Sequence, residues 1–317
     1  KTRKHRSVLK TYFRFFCSWF AILYSLPLLA EESLFNWSTA LELYPGIRQT
    51  LIAVKEPRLM KINVVRIDLA RPELRFHVTP RDVDWGKAMP DSPEYVIRTR
   101  RQRTRDYLKQ ARTTKGQDQG YGLNMVLAIN ASPWRPWVKP FTHTYADHLG
   151  LTISNGEMVC SGNQHPSLLM YYDGGVSMDI LPKDADLSKI QIAVSGFSFV
   201  LRNGQVSGDQ ALHPRTGYGL SQDKKFLFLL TIDGRQKSWS EGATSREVGE
   251  WLKYSGAWDG INMDGGGSTS LAYLVPGEKQ ETIRLLNQPP GGERRVACNL
   301  GVYLLPPQVP SEVKKNP

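Results

Sequence analysis

Apolar residues in this chain are cut into strand-length runs, and that limits the fold more than any other feature. Runs at 59–69, 74–78, 125–129, 190–194, 197–201, 216–220 and 226–232 are rich in β-branched and large apolar residues. Turn signals separate many of them: Asn155-Gly156, Asp173-Gly174-Gly175 and Asn203-Gly204 each sit between two such runs. Asn-Gly pairs favour the tight turns that join antiparallel neighbours. Further strands are expected at 149–153, 158–160, 167–172, 176–181, 271–275 and 296–305. Arg71-Pro72 marks a hairpin or tight connection between the first two runs. Helical patterning is scarce. Thr244-Ser245-Arg246-Glu247 is a capping box, Val248, Trp251 and Leu252 form the buried stripe, and Gly256 supplies the stop. A second helix is expected within the basic stretch 98–115, with Tyr107, Leu108 and Ala111 inward. Strands joined mostly by hairpins with a few helices read as α+β, with mainly antiparallel mixed sheets in a single catalytic domain.

The first thirty residues stand apart. Six Lys and Arg precede or enter an apolar run at 13–29, and Ala30 then meets Glu31-Glu32. That is the pattern of a secretory signal peptide, or of a single-pass anchor if it is not cleaved. Residues 31–58 read as a lead-in, 59–305 as the domain and 306–317 as a flexible tail. Without the leader, 35 of the 41 basic residues face 30 acidic ones, so the charge falls from +11 to +5. So small an excess does not indicate a nucleic-acid partner. Membrane contact is expected only through an uncleaved N-terminus, and localisation is read as periplasmic or secreted. Cys160 and Cys298 remain after the leader; in an oxidising compartment they either pair or stay as two buried thiols. No cysteine spacing suggests zinc, and no cofactor is called for. His143, Asp147 and His148 form an H-x-x-x-D-H cluster that reads as hydrogen-bonded structure rather than a metal site. The eight basic residues of 98–115 read as a solvated helix face rather than a polyanion patch.

Chemistry concentrates at strand ends. In Asn262-Met263-Asp264-Gly265-Gly266-Gly267-Ser268 a carboxylate meets three glycines that can take positive φ and let a ligand approach backbone N–H groups. His213-Pro214-Arg215-Thr216 precedes one expected strand and Asp233-Gly234-Arg235 follows its partner, which places Arg215 and Asp233 near one end of a hairpin. Glu241 lies just before the capped helix. Arginines bind phosphate or carboxylate with paired hydrogen bonds, and Asp233, Glu241 and Asp264 can serve as acid, base or nucleophile.

Taken in order, Asn130-Ala131, His213-Pro214-Arg215-Thr216, Asp233-Gly234-Arg235, Ser240-Glu241-Gly242-Ala243-Thr244, the Asp264 glycine loop and Glu293-Arg294-Arg295-Val296 resemble the phosphodiester glycosidase family. Ser132-Pro133-Trp134 stands where that family usually places Gly-Phe-Phe after Asn-Ala. The resemblance implies hydrolysis of the glycosidic bond in a sugar-1-phosphodiester, such as an N-acetylglucosamine-1-phosphodiester. It makes Asp264 the first candidate for nucleophile or base, with Glu241 or Asp233 as a second carboxylate. Arg215, Arg235 and the amides of Gly265 and Gly266 would hold phosphate, and Asn130, Asn262 and Ser268 would orient sugar or water. A non-catalytic module that binds an anionic envelope or extracellular polysaccharide is the alternative. A third reading, metal-dependent cleavage of the P–O bond, predicts loss of activity in chelator.

Overall fold

The computed structural model describes residues 35–162 and 164–306, so the expected leader and most of the expected tail lie outside the described residues. An eight-stranded sheet is the largest element. Its order is Leu41–Tyr44, Ile47–Val54, Met60–Asp68, Phe226–Ile232, Arg215–Leu220, Asp259–Asn262, Ser198–Arg202 and Gln205–Val206, and every pairing is antiparallel. Its central strands are apolar at successive positions because both faces are covered. Along Phe226–Ile232, Leu227 and Leu229 enter one core while Phe228, Leu230 and Ile232 enter another. Val65 and Ile67 join the first core; Ile62 and Val64 join the second.

On one face lies a helix, α2, Ser245–Ser255, with the expected capping box between Thr244 and Glu247 and a left-handed Gly256 at its end. Glycines explain how close it sits. A Cβ on Gly217 would come within 2.6 Å of Val248, one on Gly219 within 2.7 Å of Ala257, and one on Gly260 within 2.7 Å of Leu252. The strand presents bare backbone, and the helix lies against it. On the other face are two five-stranded antiparallel sheets. One runs Ile283–Leu285, Leu271–Leu274, Met125–Asn130, Asn299–Leu304, Leu74–Val78; the other runs Glu157–Ser161, Leu151–Ser154, Ile190–Ser195, Ser167–Tyr171, Val176–Asp179. The first is backed by helix α1, Thr104–Arg112, whose Tyr107, Leu108 and Ala111 are buried as the sequence predicts.

Three expectations change. The described part of the expected lead-in, residues 35–58, is more than that: around Pro45-Gly46 it forms an edge hairpin of the large sheet. Arg71-Pro72 makes a tight connection and not a hairpin, because Leu74–Val78 pairs with Asn299–Leu304 in a different sheet from Met60–Asp68. The polar stretch after 81 contains the short strands Ala88–Met89, Ser92–Val96 and Thr99–Arg100, too short and too polar to show period-two patterning. Four of the eight basic residues of 98–115 are ion-paired among the described residues: Arg98 with Asp147, Arg100 with Asp82, Arg105 with Glu293 and Arg112 with Glu281. Cys160 and Cys298 are both free and buried, one in each five-stranded region, so the structure carries the two-thiol alternative.

Candidate active site

Three strand ends meet at Asp264. Asp259–Asn262 pairs with Arg215–Leu220, Gly217 opposite Asn262. Beyond the pairing, Met263 N–H donates to Thr216 O (2.9 Å) and Asp264 N–H to Ala131 O (3.2 Å), which stitches the large sheet to the end of Met125–Asn130. Asn130 is the clamp. It is wholly buried; its Nδ2 donates to Asp264 O (2.6 Å), and its Oδ1 accepts from Thr216 Oγ1 (2.9 Å) and Ser270 N–H (3.1 Å). Every polar atom of its amide thus holds protein rather than ligand.

The glycine loop differs from the open amide cradle that its sequence suggests. Gly266 N–H donates to Pro214 O (2.8 Å), Ser268 N–H to Gly265 O (3.2 Å) and Thr269 N–H to Gly266 O (3.3 Å). The glycines serve three different needs. A Cβ on Gly265 would stand 2.8 Å from Pro214 O, an impossible approach to backbone. Gly266 has φ +64°, and its missing Cβ would lie 3.3 Å from Arg235 Nη1. At Gly267 a Cβ would sit 3.4 Å from the Arg294 guanidinium, an ordinary contact. Two guanidinium groups therefore lie over the loop.

Above them opens a cavity of about 610 Å³, walled by Arg215, Arg235, Arg294, Lys139, His213 and Asn262, with aromatic rings at one side. Among the described residues no carboxylate lines it. Asp264 lies beneath, between the lining residues Met263 and Gly265 and only 1% exposed. Its Oδ2 accepts from Trp134 Nε1 (3.1 Å), while its Oδ1 is buried with no hydrogen-bond partner. Burial pushes its pKa up to about 6 against the opposing pull of Arg294 and of the nearby Ser268 hydroxyl, Trp134 indole and Gly265 N–H. Arg294 donates to Ser268 Oγ (2.5 Å), leaves its Nε unpartnered, and lies over the ring of Phe141. Arg101, stacked 4.2 Å from the centre of the Trp134 ring, adds a further buried cation, its pKa lowered to about 10 mainly by burial. His213 Nδ1 lies 3.1 Å from Arg235 Nη2. Since arginine only donates, Nδ1 accepts and the proton of the neutral ring sits on Nε2; burial and both arginines hold the His213 pKa below its ordinary value. The result is a cationic chamber with one carboxylate under its floor, suited to an anionic ligand.

The family model for phosphodiester glycosidase matches residues 124–303, more than half of the chain. The chain belongs to the phosphodiester glycosidase family. A search of curated protein sequences returned no match. Among solved structures, the zebrafish N-acetylglucosamine-1-phosphodiester alpha-N-acetylglucosaminidase catalytic domain, auto-inhibited by pro-peptide, is similar at a TM-score of 0.56 and 16% identity, covering 83% of this chain and 86% of that one. A hypothetical protein from Synechocystis gives a TM-score of 0.52 at 12% identity over 82% of this chain and 62% of its own. A protein from Burkholderia pseudomallei K96243 gives 0.50 at 14% identity, covering 78% and 74%. At these identities the likeness is one of fold.

Within this phosphodiester glycosidase fold the expected site residues separate. Asn262, with its buried Oδ1 unpartnered, lines the cavity together with Arg235, Gly265 and Gly266. Arg215 lines it too, but its Nε and Nη2 are committed to Ala243 O, Ala211 O and Asp209. Asn130 and Ser268 hold the loop and Arg294 instead. Asp233 is buried and fully bonded, accepting from Trp239 Nε1, Asn287 Nδ2 and Gln288 N–H, and burial raises its pKa. Through Asn287, which bonds Thr269 O and Leu271 N–H, it braces the far end of the glycine loop. Glu241 is exposed and outside the cavity wall; its backbone carbonyl, not its carboxylate, meets Arg235 N–H. Asp147 pairs with Arg98 and Arg135, and His148 lies buried between Thr99 and Thr152 with its pKa near 3. The sequence puts Arg294 in a motif but marks no role for it, and nothing local marks Trp137, Lys139, Phe141 or Phe197, which line the cavity. A double arginine just before a buried strand was the available signal for Arg294; the aromatic residues reach the cavity only through tertiary folding.

Proposed function

We propose that this phosphodiester glycosidase is an exported hydrolase of sugar-1-phosphodiesters, N-acetylglucosamine-1-phosphodiester-like, yielding free sugar and a phosphomonoester. The observation that carries the reading is one buried carboxylate with an unpartnered oxygen beneath a cavity walled by arginines. A departing phosphomonoester has its second pKa near 6, so at neutral pH it leaves without a proton and needs cations more than an acid. Arg235 and Arg294 supply them, with Arg215 at the wall. Substrate phosphate draws Arg294 from Ser268, and the Asp264 Oδ1 then meets the attacking water; catalytic contacts commonly tighten only with substrate bound. Water oxygen bonds to the sugar C1 as the C1–O bond breaks, its electron pair passes to the phosphate oxygen, and the water proton goes to Asp264. A carboxyl with its pKa near 6 is matched to that task around neutrality.

Export is supported by the sequence of the expected leader. The reaction is tested with a sugar-1-phosphodiester in ¹⁸O-labelled water. Label in the sugar supports glycosidic cleavage; label in the phosphate identifies P–O cleavage and overturns it. Absence of any sugar release across a panel of sugar-1-phosphodiesters leaves a binding module instead. The first-formed anomer should be inverted, and retention would make Asp264 the nucleophile.

A further inference from the structure

Arg101 is a buried cation that the chemistry proposed above does not use. It is 2% exposed. Its Nη1 donates to Phe141 O (3.0 Å) and His143 O (2.8 Å), its Nη2 donates to Arg295 O (3.0 Å), and its Nε is buried without a partner. None of these partners carries charge, and a cation placed so is costly unless a neighbouring group offsets it. The guanidinium covers the face of Trp134, 4.2 Å from the ring centre. That indole is wholly buried, meets Phe141 edge to face, and gives its single N–H to Asp264 Oδ2 (3.1 Å). Arg101, Trp134 and Asp264 therefore stand in series, and the first of them also ties the segment of Phe141 and His143 to the residue after Arg294.

An indole has one donor and no acceptor, so the angle of its ring decides whether Oδ2 is bonded. A cation over the ring face is attracted to it, most strongly for tryptophan and where water is excluded. The attraction fixes the ring and draws electron density from its nitrogen, which makes the N–H a better donor. Trp134 stands where the family usually has phenylalanine, and a phenyl ring has no N–H to give. We propose that Arg101 and Trp134 are positioning residues for Asp264: Arg101 holds the indole by its face, Trp134 Nε1–H pins Oδ2, and Oδ1 is left to take the proton from water. This rests on Asp264 being the base of the reaction proposed above. The groups that face Asp264 are Trp134, Arg101, Arg294, the Ser268 hydroxyl, the Gly265 N–H and the Cys298 thiol. A donor to a carboxylate favours its charged form, so loss of the indole N–H raises the Asp264 pKa above about 6.

Two readouts test this, and one does not depend on turnover. In protein labelled with ¹⁵N at its indoles, the Trp134 signal is the one that Trp134→Phe removes. It should shift as pH passes through about 6 in the parent and stay still in Asp264→Asn. The second readout is hydrolysis of the methyl ester of N-acetylglucosamine 1-phosphate. Trp134→Phe should move the acid limb of kcat/KM upward by about one pH unit, a loss of roughly tenfold at pH 5 that nearly disappears at pH 8. Arg101→Gln should move the limb the same way, Arg101→Lys should restore it by keeping the cation, and Arg101→Gln should add little once Trp134→Phe is present. Equal losses at pH 5 and pH 8 in Trp134→Phe would give the indole a packing role and overturn the inference. A full further shift from Arg101→Gln in the Trp134→Phe background would mean that the guanidinium acts on Asp264 directly, and would also overturn it. So would a Trp134 signal blind to pH in the parent, whether or not Arg101→Gln folds. A signal that titrates and responds to Arg101→Gln, in a protein that releases no sugar, supports the arrangement and removes the proposed reaction instead.

Discussion

Burial and a nearby guanidinium pull the Asp264 carboxyl in opposite directions, and burial prevails, so its pKa stands at about 6 against an ordinary 3.8. Two predictions belong to this residue. With Asp264 as base, kcat/KM climbs as pH rises through about 6, and Asp264→Asn loses at least about a hundredfold; near-normal turnover by that variant would refute the assignment. The second concerns stability. The folded protein holds this proton where the unfolded chain has already released it, so the contribution from the group is complete below about pH 4 and is lost as pH rises to 6. Asp264→Asn removes the penalty of the buried charge. Its unfolding free energy should exceed that of the parent by about 3 kcal/mol at pH 7.5, and the two should converge near pH 4. Denaturant melts at the two pH values measure this, and an equal or lower stability of the variant at pH 7.5 would show that the carboxylate is not desolvated as described.

Helix α2 and the strand beneath it define the element scale. Contact of α2 with bare backbone at Gly217 and Gly219 leaves no room for a branched residue. Gly217→Val should cost about 1–3 kcal/mol by overpacking, and activity should fall with it, because Arg215 and Thr216 are on the same strand. A crystal structure of the variant with α2 unmoved would refute the close-packing account. This scale also shows what the sequence could and could not tell. The α2 cap and stripe are local, so the residues from Thr244 to Gly256 are enough to predict them. The central strand Phe226–Ile232 was legible as an apolar run, although its division between two cores was not. Leu74–Val78 reads as a strand, but its partner lies more than two hundred residues away and no local signal names it. At the site, Asp264 and the arginines announced themselves through motifs. Asp233 and Glu241 are equal alternatives for the second carboxylate in sequence, because sequence shows residue type and not solvent exposure or hydrogen-bond partners. One is walled in by donors, and the other faces water.

For the molecule as a whole, the free thiols are the simplest reporters. Cys160 is 6% exposed and Cys298 is wholly buried, with burial pushing the Cys298 pKa up to about 12. Cys160 belongs to one five-stranded sheet, and Cys298 directly precedes a strand of the other. Neither should react with a thiol reagent in the native state, and both should react at one rate across the denaturation midpoint if the sheets unfold together. Two separate midpoints would show independent sheets, and a chain that stays unreactive when denatured would show a disulfide.

The glycine loop has a consequence for how such a site can diversify. Its three positions impose unequal constraints: backbone closes off Gly265, a left-handed conformation closes off Gly266, and only a guanidinium limits Gly267. Alanine at 267 meets Arg294 at ordinary contact distance, whereas a larger side chain pushes that arginine off Ser268. Mutational freedom in the loop is therefore confined to one position and is epistatic with 294. A laboratory selection for altered phosphate recognition should enrich paired changes at 267 and 294 while 265 and 266 stay glycine.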